Sequence, residues 1–328
     1  MKKIIVSCGY HATNIGNAFY EIGAGYALKK SLGGEAQVIL SSNKPDIYWS
    51  RLLKNKAAAF DYSDTYLADY VVIMGPTLSL HYLDMWKETF KRFSANGTRV
   101  VLMSAGANRY DDREYSEVSR FLEEHKLYAL LSRDSATYEL YKDMFEHSYD
   151  GICCALYSCD YAPAYRTDME PYVIFNFDNC IEPSFTASDN GDIVIGGRSY
   201  EMRRHRFVRG HQPDRLESGE KIIRTIHTVM PGAINRRNNG GNQYLSDVPY
   251  DYLNLYANAT AVITNRVHAA VASVSYGTPV HLTNSSPRGN ILKRVKCDEV
   301  YNRVFKSDVD FINREKRKYE DEIRKIFV

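Results

Sequence analysis

Arg266 and His268 stand one residue apart, at the point where a short apolar strand gives way to a helix of small residues. A guanidinium can hold a carboxylate or a phosphate through two parallel hydrogen bonds. The partial positive charge at a helix N-terminus favours an anion there and lowers the pKa of an imidazole. This pair could therefore bind an anion and exchange a proton with it. A helix-capping histidine beside a solvated arginine is the ordinary alternative.

Two further segments place polar residues directly after a predicted strand. Arg133 follows an apolar run and precedes Asp134, which can cap the next helix. Ser285, Ser286 and Arg288 form a polar loop before another helix, and such a loop suits a phosphate group. Parallel sheets bind their ligands where strands end in this way. An exposed Arg133–Asp134 ion pair and a Ser-Pro surface turn are the alternatives.

The loop after the first strand is rich in asparagine and glycine. Asn14, Gly16 and Asn17 allow a tight loop whose backbone N–H groups could contact a phosphate or a sugar. The loop does not match GxGxxG, and no phosphate-binding lysine follows it. Because the same residues are the usual turn formers, this segment taken alone favours an ordinary turn.

Composition and cysteine spacing exclude several kinds of protein. The 328 residues include 42 basic and 40 acidic side chains, so the net charge of +2 gives no case for nucleic-acid binding. The six cysteines form no CxxC pair and have no histidine at zinc spacing, so we expect reduced thiols and no metal. The N-terminal apolar run is too short for a signal peptide, and no segment approaches the roughly 18 apolar residues of a membrane span. We therefore expect a cytoplasmic protein.

The elements that must position these residues are alternating strands and helices, which indicate parallel sheets. The predicted strands are "KKIIVSC", "AQVIL", "DYVVIMG", "TRVVLMSAG" and "LYALLSR" in the first half and "YVIFNF", "AVITN" and "TPVHLT" in the second. The stretch "SGEKIIRTIHTVM" is predicted to be a helix, because a serine precedes apolar residues at helical spacing. The fold class is therefore α/β, with two doubly wound Rossmann-like domains facing a cleft.

An irregular stretch with two prolines, residues 161–171, divides these two series. We place an N-terminal Rossmann-like domain over residues 1–165, with Arg133 at the cleft, and a C-terminal one over residues 166–328. The C-terminal domain contains the Arg-x-His motif. It ends in a charged amphipathic helix, which we expect to pack back on the N-terminal domain.

Taken together, four motifs resemble the polysaccharide pyruvyl transferase family. They are "NIGN" at 14–17, "ADYVVIMGP" at 68–76, "SRDSATYEL" at 132–140 and "TNRVHAAVASVSYGTPV" at 264–280. The last is the most specific, because its strand, Arg-x-His, small-residue helix and Gly-x-Pro follow one another without a gap. The resemblance covers most of the chain and is weakest over residues 178–245. Asn17, Pro76 and Val267 replace the Asp, Gly and Leu that the family usually has.

The resemblance implies a GT-B-like fold and transfer of the pyruvate unit of phosphoenolpyruvate onto two hydroxyls of a sugar, giving a cyclic ketal. Phosphoenolpyruvate is then a co-substrate, with no other cofactor and no metal. His268 and Arg266 would be the catalytic residues. The donor would be held by Arg133, Arg266, Ser285, Ser286 and Arg288. The sugar acceptor would lie on the N-terminal side, at Asn14, Gly16 and Asn17.

Two other functions remain open from the sequence. The chain could be a GT-B glycosyltransferase that uses a nucleotide sugar, or a sugar-binding relative without activity. The family resemblance also suggests a lipid-linked precursor of a capsule or exopolysaccharide as the acceptor. The arginine-rich residues 203–211 could then contact acidic headgroups at the inner membrane face, and a solvated loop is the alternative.

Overall fold

The computed structural model describes residues 1–8, 14–42, 62–177, 182, 184–187, 193–195, 198–203, 214–216, 219–228, 242–283 and 286–327. The first half alternates strands and helices, as the apolar runs predict. Its strands are β1 (Lys2–Cys8), β2 (Ala36–Ser42), β3 (Tyr70–Leu78), β4 (Arg99–Ala107), β5 (Ala129–Ser132) and β6 (His147–Tyr149). Its helices are α1 (Gly16–Leu32), α2 (Leu80–Ala95), α3 (Asp112–His125), α4 (Ser135–Tyr141) and α5 (Ser158–Tyr161).

These six strands form one parallel sheet in the order β2-β1-β3-β4-β5-β6. The central strands are continuous apolar runs that are buried along most of their length, as expected for a sheet covered by helices on both faces. Helices α3 and α4 begin at aspartate caps: Asp111 accepts the N–H of Glu114, and Asp134 accepts the N–H of Thr137.

The strands of the second half are β7 (Tyr172–Asn176), β8 (Ser184–Ala187), β9 (Ile193–Ile195), β10 (Arg198–Arg203), β11 (Lys221–Thr225), β12 (Gln243–Tyr244), β13 (Ala261–Thr264) and β14 (Val280–Leu282). Five of them form a second parallel sheet in the order β12-β11-β7-β13-β14. Strands β8, β9 and β10 form a separate antiparallel sheet in the order β8-β10-β9. The helices are α6 (Pro249–Asn258), α7 (Val267–Tyr276), α8 (Asn290–Arg294) and α9 (Val309–Ile326).

The helix predicted for "SGEKIIRTIHTVM" is wrong, because this segment contains strand β11. Ile222 and Ile223 are buried, and β11 pairs with β7 on one side and β12 on the other. The strand has only five residues, KIIRT, and over so few positions periodicity does not distinguish a strand from part of a helix.

Both parallel sheets have a point where the strand order reverses, between β1 and β3 in the first and between β7 and β13 in the second. Ligands of open α/β sheets bind outside the carboxyl ends of the strands at such points. The loops that follow β1, β3, β13 and β14 all contribute residues to a single cavity. The two sheets therefore present their ligand-binding ends to each other.

The C-terminal helix α9 lies against α1 of the first half. Lys30 Nζ is 2.9 Å from Glu320 Oε1, and Arg324 Nε donates to the Ser31 carbonyl at 3.1 Å. Residues 162–171 contain no helix or strand. The boundary between 165 and 166 stays a prediction. Within the described ranges, no helix is both long and apolar enough to cross a membrane.

Candidate functional site

A cavity of about 670 Å³ lies between the carboxyl ends of the two parallel sheets. Its lining includes three arginines and three histidines, namely Arg133, Arg266, Arg288, His81, His227 and His268. No aspartate or glutamate is found among the lining residues in the described part of the chain. The cavity is therefore electropositive and suits an anionic ligand.

Arg266 is the N-cap residue of α7, and two hydrogen bonds fix its position. Its backbone N–H donates to Thr264 Oγ1 at 2.9 Å, and its Nη2 donates to Thr228 Oγ1 at 2.6 Å. Thr264 is itself held by Asn176 at the end of β7, whose Oδ1 accepts from Thr264 Oγ1 at 3.1 Å. Three neighbouring strands thus determine where the guanidinium lies.

Helix α7 is suited to hold this position because its small residues are buried. Ala269, Ala270 and Ala272 have no exposed surface, so the helix packs closely on the sheet. It ends at Gly277, which adopts a left-handed conformation with φ of 74°. The strand, helix and glycine stop predicted from this segment are confirmed.

His268 lies in the first turn of α7 and is half-buried, with its ring 4.8 Å from the ring of Tyr20. Burial lowers the pKa of His268 well below its usual value, and the positive charges of Arg133 and Arg288 lower it further. His227 and Arg266 act in the same direction. The imidazole is therefore neutral at pH 7.

Arg133 enters the cavity from the end of β5 and is almost completely buried. Its Nε is 3.8 Å from Asp134 Oδ2, and both side chains are at most 2% exposed, so an exposed surface ion pair is not what the structure shows. Nη2 donates weakly to the carbonyl of Ala107 at 3.4 Å, and Nε makes no hydrogen bond within the described residues. A Cβ on Gly106 would lie 2.2 Å from Nε, so only glycine leaves room for this side chain.

The loop after β14 contributes Ser286 and Arg288. Ser286 Oγ accepts the backbone N–H of Arg288 at 3.2 Å, which caps a short turn. Arg288 Nε donates across the cleft to Asn108 Oδ1 at 3.1 Å, and Nη2 also donates to that oxygen. Ser285, the third residue predicted in this loop, lies outside the described residues.

The asparagine-rich loop contacts the second half of the molecule. Asn14 Oδ1 accepts the N–H of Gly16 at 3.1 Å, and Asn17 lies in the first turn of α1. Ile15 N–H donates to the carbonyl of His227 at 2.9 Å. Asn14 and Asn17 line the cavity, and the structure brings them together with Arg133, Arg266, His268, Ser286 and Arg288.

His227 is a cavity residue that the sequence analysis did not single out. It is 1% exposed, its Nε2 is hydrogen-bonded to the hydroxyl of Tyr256, and the rings of Phe19 and Tyr252 pack edge-on against it. In the helix predicted for this segment, His227 would not follow the end of a strand, so it is not expected at a ligand-binding edge. The signal that could have revealed it is a histidine shortly after a segment of strand length, since β11 ends at Thr225.

Two further sequence predictions concern metals and membranes. In the ranges the structure describes, no group of three or more His, Cys, Asp or Glu residues could hold a metal ion. The arginine-rich stretch 203–211 lies outside the described residues, apart from the backbone of Arg203 at the end of β10.

Comparison with known proteins gives a family and a fold. A family model described as polysaccharide pyruvyl transferase matches residues 14–287. No curated protein matches the chain. The solved structure of S. aureus MnaA with UDP shares 12% identity at a TM-score of 0.53 and covers 98% of both chains. A putative UDP-N-acetylglucosamine 2-epimerase from Listeria monocytogenes shares 10% identity at 0.51, over 95% of this chain and 94% of its own. These likenesses establish the two-domain GT-B-like fold.

Proposed function

Because the chain belongs to the polysaccharide pyruvyl transferase family, we propose that it moves the pyruvate unit of phosphoenolpyruvate onto two hydroxyl groups of a sugar, forming a cyclic ketal. The sugar is part of a precursor of a surface polysaccharide such as capsule or exopolysaccharide. The reaction takes place in the cytoplasm, and phosphoenolpyruvate is its only co-substrate.

The observation that most supports this proposal is the charge of the cavity lining. Arg133, Arg266 and Arg288 meet there, with no carboxylate in the described part of the lining. Phosphoenolpyruvate has a carboxylate and a phosphate close together, and guanidinium groups bind both of these planar or tetrahedral anions in a bidentate manner. An uncharged sugar alone would not require three arginines in one cavity.

His268 is the residue proposed to transfer protons. When the donor binds, its negative charge raises the pKa of His268, so the imidazole takes up a proton. The imidazolium then protonates C3 of the enol, which makes C2 electrophilic. One sugar hydroxyl forms a bond to C2 and gives its proton to the neutral imidazole.

The second hydroxyl completes the ketal by displacing the phosphate from C2. Two hydroxyl protons are lost in the whole reaction. The first replaces on His268 the proton that went to the new methyl group, and the second ends on the phosphate, which leaves as hydrogen phosphate. Asn14 and Asn17 lie on the same cavity wall and are proposed to orient the sugar by hydrogen bonds, since an amide at position 17 can bind a hydroxyl but cannot act as a base.

The test combines ligand binding with product analysis. Thermal shift and calorimetry should show binding of phosphoenolpyruvate and not of a UDP-sugar. With a panel of methyl pyranosides and lipid-linked sugars, the enzyme should release inorganic phosphate and form a ketal methyl group visible by proton NMR. His268→Asn should lower turnover by about 10²- to 10⁴-fold and leave the melting temperature close to that of the parent.

Two results would overturn the proposal. Stabilisation by a UDP-sugar without binding of phosphoenolpyruvate would indicate a nucleotide-sugar transferase. Glycan binding without phosphate release from any acceptor would indicate a sugar-binding relative without activity.

A further inference from the structure

Glu114 is a buried carboxylate that is hydrogen-bonded to nearby backbone groups. It lies in the first turn of α3 and is 4% exposed. Its Oε2 accepts three consecutive backbone N–H groups, from Asn108 at 3.1 Å, Arg109 at 2.7 Å and Tyr110 at 2.9 Å. Asp111 caps the same helix by accepting the N–H of Glu114 at 2.8 Å. Glu114 thereby fixes the conformation of residues 108–110, in which Tyr110 has a positive φ of 60°.

The loop of residues 108–110 contacts the surroundings of two cavity arginines. Asn108 Oδ1 accepts from Nε and Nη2 of Arg288, which belongs to the second half of the chain. Tyr110 donates from its hydroxyl to Asp134 Oδ2 at 3.0 Å, and Asp134 directly follows Arg133. A single loop of the first half is thus connected to a cation from each side of the cleft.

Asn108 can orient Arg288 without neutralising the positive charge of the guanidinium. A guanidinium has five N–H donors, and the contact with Asn108 uses Nε and one hydrogen of Nη2, which leaves three donors for a ligand. An amide is neutral, so the positive charge remains available to an anion. The Arg288 side chain is otherwise exposed at the edge of the cavity, where an unrestrained arginine would lose rotamer entropy on binding a ligand.

The two arginines also repel each other. Partial desolvation at the edge of the cavity lowers the pKa of Arg288, and the nearby positive charge of Arg133 lowers it further. A restraint that holds Arg288 at the cavity acts against this repulsion. The hydrogen bonds to Asn108 supply this restraint, and Glu114 holds Asn108 in place.

We propose that Glu114 and Asn108 are positioning residues, which preorganise Arg288 across the cleft for the phosphate group of the ligand. This inference rests on the proposed function, since it takes the phosphate to be that of phosphoenolpyruvate. The inference goes beyond the proposed function because it assigns a role to two residues that have no ligand contact in the proposed reaction. Glu114 acts through Asn108, and Asn108 acts through Arg288.

The experiment measures dissociation constants for phosphoenolpyruvate and for inorganic phosphate by calorimetry. We expect Arg288→Gln to raise both constants by about 10- to 100-fold, because a charge-assisted contact is lost. Asn108→Ala and Glu114→Gln should each raise both by about 5- to 10-fold, because only orientation is lost. Glu117→Gln is the matched control: Glu117 is on the same helix and pairs with Arg113 at 2.9 Å, and its replacement should change neither constant.

Double variants distinguish positioning from a general structural role. If Glu114 and Asn108 act through Arg288, their replacement in an Arg288→Gln background should change the dissociation constants by less than about twofold. A merely structural effect would persist unchanged in that background and would overturn the inference. Asn108→Ala keeps the test decisive if Glu114→Gln fails to fold, because Asn108 is only partly buried.

The two proposals fail in different ways. If the parent protein binds phosphoenolpyruvate but Asn108→Ala and Glu114→Gln bind it equally well, the positioning role is wrong and the proposed function stands. If the parent binds neither phosphoenolpyruvate nor phosphate, both proposals are wrong.

Discussion

His268 is surrounded by positive charge before any ligand enters the cavity. Burial and the neighbouring Arg133, Arg288, His227 and Arg266 all lower its pKa. A neutral imidazole at pH 7 can accept a proton but cannot donate one to a carbon atom. The proposed chemistry therefore requires the ligand itself to charge the residue, and this requirement can be measured without knowing the sugar acceptor.

We predict that phosphoenolpyruvate binds together with a proton. The bound anion raises the pKa of His268, so binding near pH 7 should take up about one proton, and the dissociation constant should rise as the pH increases above neutrality. Calorimetry in buffers that differ in ionisation enthalpy measures this uptake. His268→Asn corrects for protons bound by the ligand, and equal uptake by the parent and this variant would exclude His268 as the site of protonation.

An arginine and a lysine are not equivalent at position 266. Nη2 of Arg266 donates to Thr228 Oγ1 at 2.6 Å, and the residue lines the cavity. We predict that Arg266→Lys raises the KM for phosphoenolpyruvate much more than it lowers kcat, because an ammonium cannot contact Thr228 and make a two-point contact with an anion. Steady-state kinetics decide this: an unchanged KM would remove Arg266 from the donor site.

At the scale of elements, the ends of strands are built to leave space for the cavity arginines. Strand β4 ends with an irregular register opposite β5, and Ser104 within it has a positive φ of 51°. The strand then presents Gly106 to the side chain of Arg133. The position of Arg133 thus depends on two neighbouring strands and not on β5 alone.

We predict that Gly106→Ala weakens ligand binding by displacing the side chain of Arg133. The added methyl group would lie 2.2 Å from Nε, so the guanidinium must move, and the dissociation constant for phosphoenolpyruvate should rise by about tenfold. Calorimetry measures the constant, and thermal melting measures any loss of stability. Gly34→Ala is the matched control, since a Cβ there meets nothing within 4 Å. Binding by Gly106→Ala equal to that of the parent would contradict the assignment of Arg133.

At the scale of the whole molecule, contacts on several sides join the two halves around the cavity. The backbone of Ile15 is bonded to that of His227, and Tyr276 donates from its hydroxyl to the carbonyls of Ser158 and Ala162. Helix α9 returns from the second half to lie against α1. The residues proposed to bind one ligand therefore come from both halves, and their geometry depends on how the halves meet.

A lipid-linked acceptor would bring this molecule to an acidic membrane surface. The stretch 203–211 contains four arginines, each of which would contribute about 1 kcal/mol of attraction near an acidic leaflet. We predict that replacing Arg203, Arg204, Arg206 and Arg209 with Gln lowers binding to anionic vesicles and raises the KM for a lipid-linked acceptor. The KM for phosphoenolpyruvate should not change. Equal vesicle binding by the two proteins at low salt would leave a solvated loop as the explanation.

Elements with a local sequence signal were predicted correctly. Strand β13, helix α7 and the stop at Gly277 follow from an apolar run, small residues and a glycine between Ala261 and Gly277. The same local pattern placed Arg266 and His268 at the start of a helix. It failed for β11, because the five residues KIIRT are too few for periodicity to distinguish a strand from part of a helix.

Only the tertiary structure decided which side chains share the cavity. Arg288 and Asn108 are 180 residues apart in the chain, and no local pattern relates them. His227 lies at the cavity because it follows strand β11. A glycine is needed at position 106 because the side chain of Arg133, which follows the neighbouring strand, lies against it. Propensity and periodicity act over a few residues, whereas a ligand site in a two-sheet protein forms where distant strand ends converge. For this reason the three arginines could be predicted as site residues from the sequence, whereas their presence in one cavity follows only from the fold.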